Sequence, residues 1–321
     1  MTKGSMRLEA RQLGWVVLAI CLVGTLAAAG VALSRGSADG GGGSGAGAGA
    51  GLFGGGQTVA LVKLDGTITD AMVAPLSAGR QNVLAELRRA ERDASVKAVV
   101  LRIDSPGGST AAAQALAAQV LRLRQTGKPV VAYFTDEAAS GGLYVGVAAD
   151  RIIAEPSTLT GSIGAIITAT DLQGLYERLG VRERVIKSGP YKDILSPSRD
   201  LTPEEQAILD GLVRDALEQF VHAVADGRHL PEEAVRRIAD GRVFSGAQAQ
   251  QVGLVDELGD QQRAVELAGQ LAGLPGEPQV VLFAPPPPSV FDLFSGASPV
   301  GGGLEALLPD PGVSVRYEWR R

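Results

Sequence analysis

Ala98-Val99-Val100-Leu101-Arg102-Ile103-Asp104-Ser105-Pro106-Gly107-Gly108 is a β-rich run in which Arg102 is the only charge before Asp104, and it is broken by a proline and two glycines. A nearly continuous apolar run suits a strand buried on both faces, as in a sheet covered by helices on either side. A helix is predicted directly after it, over about 110–124, because Leu116, Val120 and Leu123 share one face. The pattern then repeats: a strand over 129–134, a helix opening at Ala139-Ser140-Gly141-Gly142-Leu143-Tyr144, and a short strand over 151–154. Upstream, Thr58-Val59-Ala60-Leu61-Val62-Lys63-Leu64 reads as the first strand, closed by Asp65-Gly66, with a polar helix near 81–91. This alternation predicts an α/β domain of repeated strand-helix units over 57–284.

Downstream, Thr160-Gly161-Ser162-Ile163-Gly164 is a glycine-punctuated turn, 171–179 a helix, 184–186 a strand and 187–200 a loop. Thr202-Pro203-Glu204-Glu205 is a helix start, with a capping threonine, proline at the first position and acids in the first turn. That helix continues through Ile208, Leu212, Ala216 and Phe220. Further helices begin near Pro231 and after Ser245-Gly246-Ala247, and 280–283 reads as a final strand. The Pro- and Gly-rich tail over 285–321 is expected to be loosely held.

Residues 13–34 run without a charge, long enough to span a bilayer, and Lys3, Arg7 and Arg11 precede them. The expectation is a single N-terminal transmembrane helix with a cytoplasmic N-terminus, 1–12, and the remaining chain outside the cell membrane. A cleaved signal peptide is the rival, given Ala27-Ala28-Ala29 and Ala32, but the apolar run exceeds a usual signal core. Residues 35–56 are mostly Gly, Ala and Ser, a composition that reads as a flexible tether. The formal net charge of −5 and 4% aromatic content give no footprint for nucleic acid. One cysteine, Cys21, and two histidines, His222 and His229, leave no cysteine cluster or histidine metal site, so no metal or other cofactor is expected.

The candidate chemistry sits in three places. Ser140 is flanked by Ala139 and Gly141 at a strand-to-helix turn, where a hydroxyl can serve either as a helix cap or as a presented nucleophile. Gly107-Gly108, between a strand and a helix, can turn backbone amides to one spot, which stabilises an oxyanion; a plain turn is the alternative. A phosphate loop does not fit, since no lysine follows and G-x-G-x-x-G is absent there. His222 and His229 read as surface or packing residues, so the conventional base left is a lysine. Lys187 and Lys192 share a Gly-Pro loop. An exposed lysine, with a pKa of about 10.4, is a poor base, whereas burial beside apolar atoms such as those of Tyr191, Ile194 and Leu195 can lower it. The residues alone leave a solvated lysine and a catalytic one both open.

Taken together, Ser105-Pro106-Gly107-Gly108, Ala139-Ser140-Gly141-Gly142-Leu143-Tyr144, Thr160-Gly161-Ser162-Ile163-Gly164 and Tyr191-Lys192-Asp193-Ile194-Leu195-Ser196-Pro197 resemble the signal peptide peptidase A family of serine proteases, in its single-domain bacterial form. The resemblance covers about 59–258. It implies a ClpP/crotonase-like fold, a catalytic dyad of Ser140 and Lys192, an oxyanion hole from the amides of Gly108 and Gly141, and Ser162 orienting the lysine. Leu143 departs from the family pattern, in which an aromatic is frequent. The implied activity is endopeptidase cleavage of remnant signal peptides and other hydrophobic peptides through an acyl-enzyme. The implied assembly is a homo-oligomeric ring on the membrane, with sites shared between protomers. The rival readings are a related Ser-Lys protease that cuts a specific membrane protein, a catalytically silent scaffold of the same fold, and an acyl-CoA enzyme, which an extracytoplasmic domain disfavours.

Overall fold

The first strand of the described residues is β1 (Thr58–Asp65), buried along nearly its whole length. The structure, a computed structural model, describes residues 57–74, 82–283 and 315–318. The expected N-terminus, anchor and tether, 1–56, and most of the tail after 284 lie outside the described residues. Among the described residues no helix is long and apolar enough to cross a membrane.

After β1 come α1 (Val83–Arg92), β2 (Val96–Ser105), β3 (Gly107–Ser109), α2 (Thr110–Gln125), β4 (Val130–Ala139), α3 (Gly141–Gly146), β5 (Arg151–Ala154) and β6 (Leu159–Gly161). The second half adds α4 (Gln173–Leu179), α5 (Pro203–Arg228), α6 (Glu232–Arg236), β7 (Val243–Ser245), α7 (Gly246–Gln251), β8 (Glu257–Leu258), α8 (Gln261–Leu271), β9 (Gln279–Phe283) and β10 (Arg316–Glu318). Helix starts follow their local chemistry. The Asn82 side chain accepts from Ala85 N and that of Ser109 from Ala112 N, while Thr202 with Glu205 and Ser245 with Gln248 close reciprocal capping boxes.

The main sheet runs β7-β6-β4-β2-β1-β9, with β5 beside β4 and β8 beside β5. β1, β2, β4 and β9 pair in parallel. β4 is long enough to serve two neighbours: Val131 to Phe134 pair with β5, and Glu137 to Ala139 pair with β6. Side chains alternate along the central strands, as a pleated backbone requires. Val99, Leu101 and Ile103 join a core with Leu87, Leu116, Val120 and Phe220, whereas Ala98 and Val100 join Val59, Val131 and Ile153 against Ala264 and Ala268 of α8. Helices therefore cover both faces, which is why these strands carry apolar residues at successive positions.

Two expectations are corrected. The strand expected over 184–186 is not formed: the segment is exposed, Ile186 to 94%, and a short run with no neighbouring edge has no ladder to join. The tail is not loosely held throughout, because Arg316, Tyr317 and Glu318 form β10 against β3, with Tyr317 wholly buried.

Candidate active site

Ser140 stands at the C-terminal end of β4, the end of a parallel sheet at which α/β folds bind ligands. Its backbone is at φ 53°, ψ −115°, a conformation that side chains with a Cβ avoid and that costs about 1–3 kcal/mol. Two bonds hold it there: Ser140 N donates to Gly161 O and Tyr144 N donates to Ser140 O, both at 2.9 Å. The helix-cap alternative fails, since the Ser140 side chain makes no capping bond to α3. Ser162 occupies the matching place one strand over. Ala139 and Gly161 are register partners, and each serine is the next residue along its strand. Ser162 is also at positive φ, 51°, with its N–H donated to Arg242 O at 2.7 Å.

Gly107 and Gly108 meet this turn from β3. Both are at positive φ, +97° and +150°. A Cβ on Gly107 would lie 2.6 Å from Gly141 N, and one on Gly141 would lie 3.3 Å from Gly108 N, so only glycine lets the two backbones approach this closely. The Ser105 hydroxyl, fully buried, accepts from Gly107 N at 3.2 Å, and Ile68 clamps the loop by donating to Gly107 O at 2.7 Å and accepting from Ser109 N at 2.9 Å. The amides of Gly108 and Gly141 thus lie together beside Ser140, the arrangement that can stabilise a tetrahedral oxyanion.

The lysines part company. Lys187 Nζ donates to Asp193 Oδ1 at 2.6 Å and to Pro190 O at 2.9 Å, which commits it to the loop. Asp193 also takes Arg199, which continues to Glu205 at 2.6 Å, pinning the loop to the start of α5. The hydrogen bonds from Arg199 and Lys187 hold the Asp193 carboxyl well below the ordinary range, and Arg199 lowers Glu205 to about 2. Lys192 is exposed, and among the described residues it has neither an ion pair nor a side-chain hydrogen bond, to Ser140 or to any other group. Within one chain the structure groups Ser140, Gly108, Gly141 and Ser162 and leaves Lys192 in solvent. The surrounding arm is apolar and exposed at Leu175, Leu179, Val181, Ile186 and Tyr191. His222 Nδ1 lies 2.8 Å from Glu232 Oε1, and His229 terminates α5 on the exposed surface.

Tyr317, which no sequence pattern singled out, completes the surroundings. Tyr144, Phe220 and Tyr317 form an aromatic cluster beside the turn, with ring centroids 4.8–5.2 Å apart. Burial raises the phenols of Tyr144 and Tyr317 above their ordinary range, so both are neutral packing groups. A cavity of about 460 Å³ opens alongside, lined in part by Ser162, Ile163, Ile166, Leu217 and Glu318.

Residues 122–275 match the family described as peptidase family S49. The chain is 40% identical over 262 residues to the Synechocystis protein named "Putative protease slr0021", covering 81% of this chain and 90% of that one. It is 34% identical over 283 residues to the chloroplastic serine protease SPPA of Arabidopsis thaliana, and 35% identical over 255 residues to protease 4 of Salmonella typhi. These alignments cover 83% and 79% of this chain but only 42% and 40% of those longer relatives.

Proposed function

We propose, from the premise that the chain belongs to the signal peptide peptidase A family of serine proteases, peptidase family S49, that it is a membrane-anchored endopeptidase cutting remnant signal peptides and other hydrophobic peptides. Its mixed α/β architecture, with helices on both faces of a mainly parallel sheet, is consistent with the ClpP-like fold of S49 peptidases. In this reading Ser140 Oγ attacks the scissile carbonyl while Lys192, as a neutral amine, takes the hydroxyl proton. The amides of Gly108 and Gly141 receive the charge that develops on the carbonyl oxygen. Collapse of that intermediate passes the proton to the leaving amine and leaves an acyl-enzyme. Water, deprotonated by the same lysine, then releases the second product.

The observation that carries the reading is Ser140, held at φ 53° beside the clustered amides of Gly108 and Gly141. The isolated position of Lys192 supports a site completed by a neighbouring copy, in a ring whose subunits share serine and lysine. The exposed apolar side chains of the same arm, with Ile186 at 94% exposure, supply the surface such a contact would bury. The test mixes Ser140→Ala with Lys192→Ala subunits after dissociation and reassembly. Activity is expected to return at interfaces that regain both groups. Mixed oligomers without activity would refute the shared site.

A further inference from the structure

The C-terminal half of α1 carries Arg88, Arg89 and Arg92, all exposed, in a chain whose formal net charge is −5. Among the described residues none of the three has an ion pair or a side-chain hydrogen bond. Residues 75–81, which precede α1 and lie outside the described residues, contain no Asp or Glu. Arg88 and Arg92 stand one turn apart, an i,i+4 pair of like charges that costs a helix stability. Basic side chains at a helix C-terminus usually bond its last carbonyls. Here that role is taken by Lys128, whose Nζ donates to Ala90 O and Glu91 O at 2.8 Å and to Asp93 O at 2.7 Å. The three arginines are left over from capping.

They line one cavity, of about 480 Å³, together with Val73, Leu84 and Asn82. Phe283 holds Arg89 in place, with the guanidinium carbon 4.7 Å from the ring centroid, a stacked contact that leaves N–H groups at the guanidinium edge. The carboxylates nearby are engaged: Asp93 Oδ1 accepts from Ser95 N at 2.9 Å and from Ser95 Oγ at 2.6 Å, and Glu91 Oε2 accepts from Gln119 at 2.5 Å. Thr58 N and Oγ1 both donate to Ser95 O, at 2.9 and 3.2 Å, so the chain enters the described fold beside this cluster. This is the end of the sheet at which β1 and β2 begin, opposite the one that carries Ser140. We propose that Arg88, Arg89 and Arg92 form a site for the phosphate of an anionic lipid headgroup. Guanidinium forks match phosphate oxygens, and an anionic bilayer surface attracts basic clusters. A phosphate between Arg88 and Arg92 turns their repulsion into a bridge, and Val73 and Leu84 give the cavity an apolar wall that suits a headgroup joined to acyl chains. The inference rests on the reading of a membrane-anchored chain, which keeps a bilayer within reach, and not on the role of Ser140.

The experiment follows thermal unfolding of the full chain with vesicles of phosphatidylcholine, alone or with about one third phosphatidylglycerol. It compares the wild type with a chain carrying both Arg88→Gln and Arg92→Gln, since glutamine keeps the helix propensity and removes the charge. The expected result is a wild-type melting temperature about 3–6 °C higher with the anionic vesicles, the shift for a lipid at about ten times its Kd in a domain of this size. The double variant should show no such rise, and with neutral vesicles it should melt no lower than the wild type, because a like-charge pair has gone. An equal rise in both chains, or a rise in neither, would overturn the proposal. A variant that melts markedly lower with neutral vesicles would also overturn it, since the arginines would then serve the fold. Inorganic phosphate, added to neutral vesicles at matched ionic strength, reads the other source: a rise equal to that from the lipid would assign the site to a soluble anion and overturn the headgroup. Flotation with neutral vesicles reads the anchor separately. A chain that floats without a headgroup effect defeats this site alone, and one that does not float yet is stabilised through the arginines defeats the anchor alone.

Discussion

Replacing Ser140 by glycine is expected to stabilise the protein relative to Ser140→Ala while both variants lose peptidase activity. At φ 53°, ψ −115° the Cβ of Ser140 is the source of strain, which places the cost of holding this residue at about 1–3 kcal/mol. Alanine keeps that Cβ and the strain with it. Glycine removes both, but loses about 0.5–1 kcal/mol through the greater freedom of its unfolded chain. The net difference between the variants is therefore about 0.5–2 kcal/mol in favour of glycine. At about 2–4 °C per kcal/mol for a domain of about 150–250 residues, the glycine variant should melt about 1–8 °C higher. Calorimetry on matched samples, with urea unfolding as a second measure, reads the difference directly. An alanine variant as stable as the glycine one would refute the idea that the fold stores strain at this position. A surviving hydrolysis rate in either variant would refute the assignment of Ser140 as nucleophile.

Lys192→Ala should abolish peptide hydrolysis without changing the unfolding midpoint, and Lys192→Arg should not restore it, because guanidinium does not give up its proton in this range; full hydrolysis by the Lys192→Ala chain would remove the lysine from the mechanism. Gly108→Ala would set a Cβ 2.1 Å from Ile68 O, so the loop must shift, and kcat is expected to fall about 10²-fold or more with the loss of an oxyanion donor; unchanged steady-state kinetics in a folded variant would remove Gly108 from the site. Burial raises the Glu86 carboxyl to about 7, with Asp65 adding to the effect and Arg89 opposing it, and its Oε1 lacks a hydrogen-bond partner among the described residues. The folded state then holds a proton that the unfolded state releases at lower pH, so stability is present below the ordinary carboxylate pKa and is lost as pH rises through about 7. Allowing for partial screening by solvent, this amounts to about 1–2 kcal/mol. Glu86→Gln should flatten the change in melting temperature between pH 5 and pH 8, and an unaltered slope would assign it to another group.

The order of elements in the strand-helix core was legible in the sequence because burial on both faces of a sheet demands runs such as Ala98 to Ile103, and helix starts such as Thr202-Pro203-Glu204-Glu205 satisfy their own backbone groups locally. Ser140 and Gly107-Gly108 were legible as candidates for a similar reason: small residues at strand-to-helix turns mark close backbone approach. Their meeting was not, since it depends on strand register, Ser105 with Ala138 and Ala139 with Gly161, over separations that no local pattern encodes. The engagement of Lys187 also lay beyond local pattern, because its ion pair with Asp193 depends on how the loop folds back on itself. The strand expected over 184–186 had the residues for a ladder but no edge to meet. Tyr317 had only Arg316 and Glu318 to announce it, yet it fills the pocket between Tyr144 and Phe220. A strand of three residues has too little pattern of its own to be read, and its place is decided by the open edge of β3 and a cavity of matching shape, which exist only once the rest of the chain has folded.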